Sequence, residues 1–270
     1  MARDGSQPND HGVRGRTIMS PSTGTLFVVS MPIGHPDDIT LRALATLRLV
    51  AVVASEDPRV TQALLAHHGI TATITSYGPL NRDEKIRLLL HRLTQGQDVA
   101  LVSDNGTPVI FDPGTRLVAA AHQAGIPVKA IPGPSTLTTA AAISGFSGDA
   151  IIFEGRLPST SHRLGQYLSL LRKERRTLVF YVDPGALSRL LKTLAQIVPD
   201  RQVAIAMDLT TLRETFFRGK PNELLDRIGA VPKNSAVTVV IEGDRGGPLT
   251  NDEQKNAAYY SSSRRRMSTR

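Results

Sequence analysis

The chain has no cysteine and no tryptophan, and seven Phe and five Tyr make aromatics only 4% of its 270 residues. Without cysteine there is no disulfide scaffold, zinc-thiolate site, iron–sulfur cluster or cysteine nucleophile, and the absence fits a cytoplasmic protein. No apolar run approaches the ~18 residues of a membrane span, so no membrane partner is expected. The N-terminus lacks the apolar stretch of a signal peptide. Familiar catalytic motifs are missing too: there is no G-x-G-x-x-G after a strand, no G-x-x-x-x-G-K-[ST], no H-E-x-x-H and no G-x-S-x-G. The seven His show no metal-ligand spacing, and His67-His68 beside Gly69 reads as a helix end, so no metal is expected.

What is present is an ordinary globular composition, 40% hydrophobic, long enough for one to two domains. Lys plus Arg is 32 against 24 Asp plus Glu, a net charge of +8. Such a balance points to a polyanionic partner only if the charge lies on the folded part. Residues 1–23 carry three Arg and two Asp, and residues 244–270 six basic and three acidic side chains, so half of the excess sits at the ends. Both ends are polar, aperiodic and read as disordered tails. Residues 24–243 keep a mild +4.

Between the tails, short apolar runs alternate with helical patterns. Leu26–Ser30, Val50–Ala54, Val99–Val102 and Val128–Ile131 read as strands. Helices are expected after Asp37-Asp38, after an Asn81/Glu84 capping box, and over Thr115–Ala124. This β-α alternation implies a mostly parallel sheet covered on both faces. Pro-Gly punctuation at Ile131–Ser135 marks a seam. Beyond it, strands are expected at Ala150–Phe153, Thr177–Tyr181, Gln202–Met207, Thr215–Phe217 and Ala236–Ile241. Helices are expected near Ser161–Leu171, Leu187–Ile197 and Asn222–Ile228, the excess of strands implying a mixed sheet. The expectation is an α/β domain over 24–134, a second over 135–243, and a ligand site in the cleft between them.

Four Gly/Pro loops follow strands directly: Ser30–His35, Ser55–Arg59, Ser103–Pro108 leading to Asp112-Pro-Gly114, and Pro132–Ser135. Ligands of parallel sheets bind beyond the carboxyl ends of the strands, where loops vary without disturbing the core. Singly, each loop is an ordinary turn; in series they mark one site.

These loops also carry a resemblance. Pro32-Ile-Gly34 with Asp38-Ile-Thr-Leu-Arg-Ala-Leu44, Glu56-Asp-Pro-Arg59, Ser103-Asp-Asn-Gly-Thr-Pro108, Asp112-Pro-Gly114 and Pro132-Gly-Pro-Ser135 are similar to motifs of the tetrapyrrole methylase superfamily. Phe153-Glu-Gly155, Arg176–Tyr181, Asp208-Leu-Thr210, Phe217-Arg-Gly219 and Val240–Gly243 continue the likeness across residues 24–243. Within the superfamily the chain looks most like the branch that methylates a cytidine ribose 2′-hydroxyl in small-subunit ribosomal RNA. The resemblance implies S-adenosylmethionine as donor, two α/β domains with the donor in the cleft, a homodimer, and the small ribosomal subunit as partner. It departs at Met31 and His35-Pro36 around Pro-Ile-Gly, at Pro58 and at Asn105. Larger departures are Val182–Ala186, where polar residues and an Arg are usual, and Thr211, where a Lys is usual.

On this reading Pro32, Gly34, Asp104, Gly106, Thr107, Pro108, Ile110, Pro134 and Ser135 form one wall around the donor. Tyr181, Met207, Leu209 and Thr238 form the other. Asp104 is the candidate for general base, with Glu56 a second carboxylate, although a carboxylate after a strand is more often a loop cap than a base. Glu56, Arg59, Arg172, Lys173, Arg175 and Arg176 are the RNA-contact candidates, the last four being the densest basic cluster of the core, though such runs are commonly solvated faces. No aromatic side chains interleave with them, so stacking on single-stranded bases has little sequence support. Two alternatives stay open: methylation of a corrin or porphyrin precursor, and a diverged paralogue that binds donor or RNA without catalysis.

Overall fold

The computed structural model describes residues 23–78 and 82–246. Both tails lie outside these residues except for Thr23 and Asp244–Gly246, as does Asn81 of the expected capping box.

Five apolar strands, β1 (Leu26–Val29), β2 (Val52–Ser55), β3 (Ile74–Ser76), β4 (Val99–Leu101) and β5 (Val128–Ile131), form an all-parallel sheet in the order β3-β2-β4-β1-β5. Helices α1 (Leu41–Leu49), α2 (Pro58–His67), α3 (Arg82–Thr94) and α4 (Thr115–Gln123) make the crossovers. Leu47 of α1 and Leu65 of α2 pack with Val29 and Val53 on one face of the sheet. Leu89 of α3 and Leu117 of α4 pack with Leu26 and Leu101 on the other. Both faces of the central strands are therefore covered, which is why β1, β2 and β4 are almost continuously apolar, whereas the edge strands β3 and β5 carry Thr75, Ser76 and an exposed Lys129. Helix starts follow local chemistry: the Thr40 hydroxyl accepts from the Ala43 amide at 3.1 Å, and Asp57 accepts from the Arg59 amide at 2.9 Å with Pro58 as the first helical residue.

The second sheet contains β6 (Ile151–Arg156), β7 (Thr177–Val182), β8 (Val203–Met207), β9 (Thr215–Gly219) and β10 (Val237–Ile241), in the order β6-β7-β10-β8-β9. Only β6 and β7 pair in parallel; the other pairs are antiparallel. Helices α6 (Ser161–Leu170), α7 (Leu187–Ile197) and α8 (Pro221–Arg227) cover one face. The opposite face receives α5 (Thr136–Ser144), through Ala140, together with Ile33 from the loop after β1.

The parallel first sheet and mixed second sheet agree with expectation. Differences lie at the weakest patterns: β3 is three residues of edge strand, α2 hides behind Glu-Asp-Pro, and the Ala/Thr-rich stretch after the seam is helix α5. Among the described residues no helix is long and apolar enough to cross a membrane.

Candidate active site

The loops after β1, β4 and β5 are sewn together before any ligand is considered. The Met31 amide donates to the Gly106 carbonyl at 2.8 Å, and the Gly106 amide returns to the Pro32 carbonyl at 3.2 Å. The hydroxyls of Ser30 and Thr107 lie 3.0 Å apart, and Thr107 donates onward to the Pro134 carbonyl at 3.1 Å. Gly106 has φ +71°, and a Cβ there would come within 3.2 Å of Ile33, so the crossing of these loops selects glycine.

The first loop is also pressed onto the second half. A Cβ on Gly34 would lie 2.3 Å from the Leu209 carbonyl oxygen and 2.6 Å from the Thr210 hydroxyl. The His35 amide donates to that hydroxyl at 2.9 Å. Asp208 and Thr210 both have positive φ. The buried Asp208 carboxylate accepts from the Ser235 hydroxyl at 3.0 Å and the Ala236 amide at 2.9 Å. That fixes the turn after β8 against the entry to β10.

Between the sheets these elements leave a cleft of about 370 Å³. The first half contributes Ile33, Asn105–Thr107, Ile110–Asp112 and Ser135-Thr136; the second contributes Arg156, Tyr181–Pro184 and Ser235–Thr238. Of the expected donor residues, Gly106, Thr107, Ile110, Ser135, Tyr181 and Thr238 line it. Pro32, Gly34, Pro108, Pro134, Met207 and Leu209 stand outside the lining; Leu209 is buried with Ile33, and Met207 lies in the core beneath the helices.

Asp104 does not line the cleft; its carboxylate accepts from the Asp57 amide at 2.9 Å, bracing the loop after β2. Two carboxylates do line it: Asp183, which faces Arg156 at 4.0 Å, and Asp112, which forms no ion pair among the described residues and whose pKa is shifted by its surroundings. Burial, reinforced by the negative charges of Glu56 and Asp104, pushes its pKa up to about 6. Burial, and then Asp104, also raises Glu56. Tyr181 is raised by burial first and by Asp112 second.

The basic cluster lies elsewhere. The cleft is built at the end of β7 and the start of its antiparallel neighbour β10, whereas Arg172–Arg176 precede β7. They are therefore at the far end of the second sheet, beside a separate recess of about 460 Å³ that contains Arg172, Lys173 and Arg201. Arg176 is engaged by Glu174 through its Nε at 2.9 Å and its Nη2 at 2.9 Å. Arg59 is the second residue of α2, its amide donating to the Asp57 side chain.

Sequence inspection passes over Phe111, Asp112 and Arg156 as site residues, although Asp112-Pro-Gly114 marks the right loop. Val109 and Phe111 have φ of 76° and 67°, which a side chain adopts only under surrounding constraint. Phe111 meets Tyr181 edge-on at 5.7 Å and Phe153 at 6.3 Å, and Phe153 meets Tyr181 at 4.8 Å. So the few aromatics, scattered in sequence, converge at the cleft. Sequence spacing also hides Asp37, His67 and His68, whose ligand atoms lie within 4.8 Å of one another and which form a possible metal-ligand group. Asp37 and His67 are in contact at 2.9 Å.

Residues 25–225 match the family model of the tetrapyrrole (corrin/porphyrin) methylases, and the chain belongs to that family of methyltransferases. The likeness narrows further among individual relatives. The chain is 42% identical over 220 residues to the Ribosomal RNA small subunit methyltransferase I of Thermotoga maritima, covering 82% of this chain and 99% of that protein. It is 39% identical over 231 residues to the protein of the same name from Pasteurella multocida, covering 83% and 81%. Its fold is similar to the Thermus thermophilus uroporphyrin-III C-methyltransferase complexed with S-adenosylhomocysteine, at TM-score 0.56 and 21% identity, over 82% of this chain and 97% of that one.

Proposed function

We propose that the protein transfers a methyl group from S-adenosylmethionine to the 2′-hydroxyl of a cytidine ribose in small-subunit ribosomal RNA, in the cytoplasm. The observation that carries this reading is the extent of the likeness to relatives named as small-subunit ribosomal RNA methyltransferases, 42% identity over 99% of the Thermotoga maritima protein. The tetrapyrrole-precursor alternative is less favoured, because the corrin and porphyrin methylases that share the fold do so at 18–21% identity.

The cleft fits the donor. Its volume, about 370 Å³, falls in the range of small-molecule sites. Ile33, Ile110 and Val237 offer apolar surface for an adenine, and the loop around Gly106 brings bare backbone to the wall. When bound, S-adenosylmethionine supplies an electrophilic methyl on a sulfonium. The chain's task is then to orient and to move one proton. Alignment of oxygen, methyl and sulfur on a line supplies much of the rate in reactions of this kind. The Asp112 carboxylate would take the proton that the 2′-hydroxyl gives up on methylation. A pKa near 6 leaves that base ionised at neutral pH while close enough to it to be effective. Asp104 and Glu56 act through it, their charge keeping Asp112 basic.

Incubation of the protein with labelled donor and small ribosomal subunits lacking the modification tests the reading. Label in alkali-resistant dinucleotides is the expected result. Label confined to a tetrapyrrole, or donor binding without transfer, would overturn it.

A further inference from the structure

We propose that Phe111, with the Arg156 guanidinium over its ring, is the platform on which a nucleobase of the RNA acceptor stacks. This deepens the proposed function and rests on it. Phe111 is 46% exposed, unusual for a phenylalanine pinned by three neighbours. Its backbone is held at φ 67°, a conformation that a non-glycine residue seldom adopts. T-shaped contacts with Tyr181 and Phe153 fix its orientation, and Gly155 makes room for it. A Cβ on Gly155 would lie 3.0 Å from two atoms of the ring, and β6 shifts register at this point. The Arg156 guanidinium sits over one face of the ring, 5.4 Å from its centroid, is largely exposed, and reaches Asp183 at 4.0 Å, so a base either takes the other face or stacks on the guanidinium itself. Aromatic rings and guanidinium planes are the surfaces on which splayed RNA bases stack.

The position of Phe111 identifies the occupant as the acceptor rather than the donor. It belongs both to the cleft and to an adjoining recess of about 300 Å³ that also contains Arg82 and Arg116. A free small molecule in the cleft has no use for that extension; a polynucleotide leaving it does. Arg82 and Arg116 bring two guanidinium side chains to the wall of that recess, positive charge of the kind that meets a phosphate. Asp112 faces both spaces, so a base seated on Phe111 brings its ribose toward the carboxylate assigned to the proton. A low aromatic content argues against stacking only while the rings are counted along the chain; the fold concentrates three of the twelve where it would occur.

The test compares F111A and F111W with the unmodified protein, measuring KM for small-subunit RNA and, separately, Kd for S-adenosylhomocysteine by calorimetry. Loss of one base–aromatic stack, about 1–3 kcal/mol, raises KM about 5- to 150-fold in F111A. F111W should restore it to within a few-fold, with the donor-product Kd unchanged throughout. R156Q should weaken RNA binding and reduce its salt dependence. Weaker S-adenosylhomocysteine binding in F111A with unchanged KM for RNA would overturn the proposal by making Phe111 a donor wall. Unchanged values for both would overturn it by removing Phe111 from either ligand. Absence of transfer to RNA by the unmodified protein would overturn the functional reading, and the platform with it, whereas transfer that is insensitive to F111A sinks the platform alone.

Discussion

Replacing Asp112 by asparagine separates chemistry from scaffold, because the two respond in opposite directions. With a pKa of about 6, Asp112 is about 97% ionised at pH 7.5 and about 9% at pH 5, so single-turnover transfer should fall about tenfold between them. D112N removes the base entirely and should lower the transfer rate about 10²- to 10⁴-fold. Stability behaves otherwise. The folded-state pKa lies above the ordinary value of 3.8, so the folded protein holds this proton more tightly than the unfolded chain. The ionised carboxylate therefore destabilises at neutral pH, and the penalty is relieved as pH falls through 6 toward 4. A rise from 3.8 to about 6 corresponds to about 3 kcal/mol at most; partial solvent access reduces this to about 1 kcal/mol. D112N should accordingly melt no lower than the unmodified protein at pH 7.5, and a few degrees higher if the full penalty is released. The assay is quenched-flow transfer of labelled methyl to small-subunit RNA from pH 5 to 8, with a melting curve for each variant. A flat profile below pH 7, a D112N rate within threefold of normal, or rate and melting temperature falling together would refute the assignment.

Other outcomes follow from the same geometry. G34A places a carbon 2.3 Å from the Leu209 carbonyl, which forces the two halves apart; donor binding should fall at least tenfold by calorimetry, with a lower melting temperature. G155A, at φ +62° and 3.0 Å from the Phe111 ring, should cost about 1–2 kcal/mol in denaturant unfolding and raise KM for RNA more than it alters donor binding. Glu174 is held at a pKa of about 2 by hydrogen bonds from Arg176, well below its ordinary range. It therefore stabilises above about pH 4.5 and loses that contribution as pH falls toward 2. E174Q should cost about 1 kcal/mol at pH 7, less at high salt, and nothing near pH 2, while leaving transfer unchanged.

Most strands were legible because their burial is one-dimensional information. The runs of β1, β4, β7, β8 and β10 are almost wholly apolar because both faces are covered, whereas the edge strand β5 carries an exposed Lys129. Helix α5 was not legible as a helix, since Ala140 and its small neighbours approach the second sheet closely and leave no polar–apolar stripe. The Gly/Pro loops pointed to the correct strand ends, because glycine at Gly34 and Gly106 answers a local steric demand. Which side chains those loops present was hidden. Phe111, Phe153 and Tyr181 come from a loop and two strands, and only pairing of β6 with β7 brings the last two together. The remote position of Arg172–Arg176 was equally hidden, because it depends on the direction of β7 and not on the charge of the segment.

Methylation of a cytidine ribose in small-subunit RNA by this cleft is tested most directly by nucleoside mass spectrometry. The RNA is taken from cells lacking the gene, complemented with either the unmodified protein or D112N. Loss of one 2′-O-methylcytidine on deletion, restored by the unmodified protein and not by D112N, is the predicted result. A full complement of 2′-O-methylcytidine in the deletion strain would contradict it.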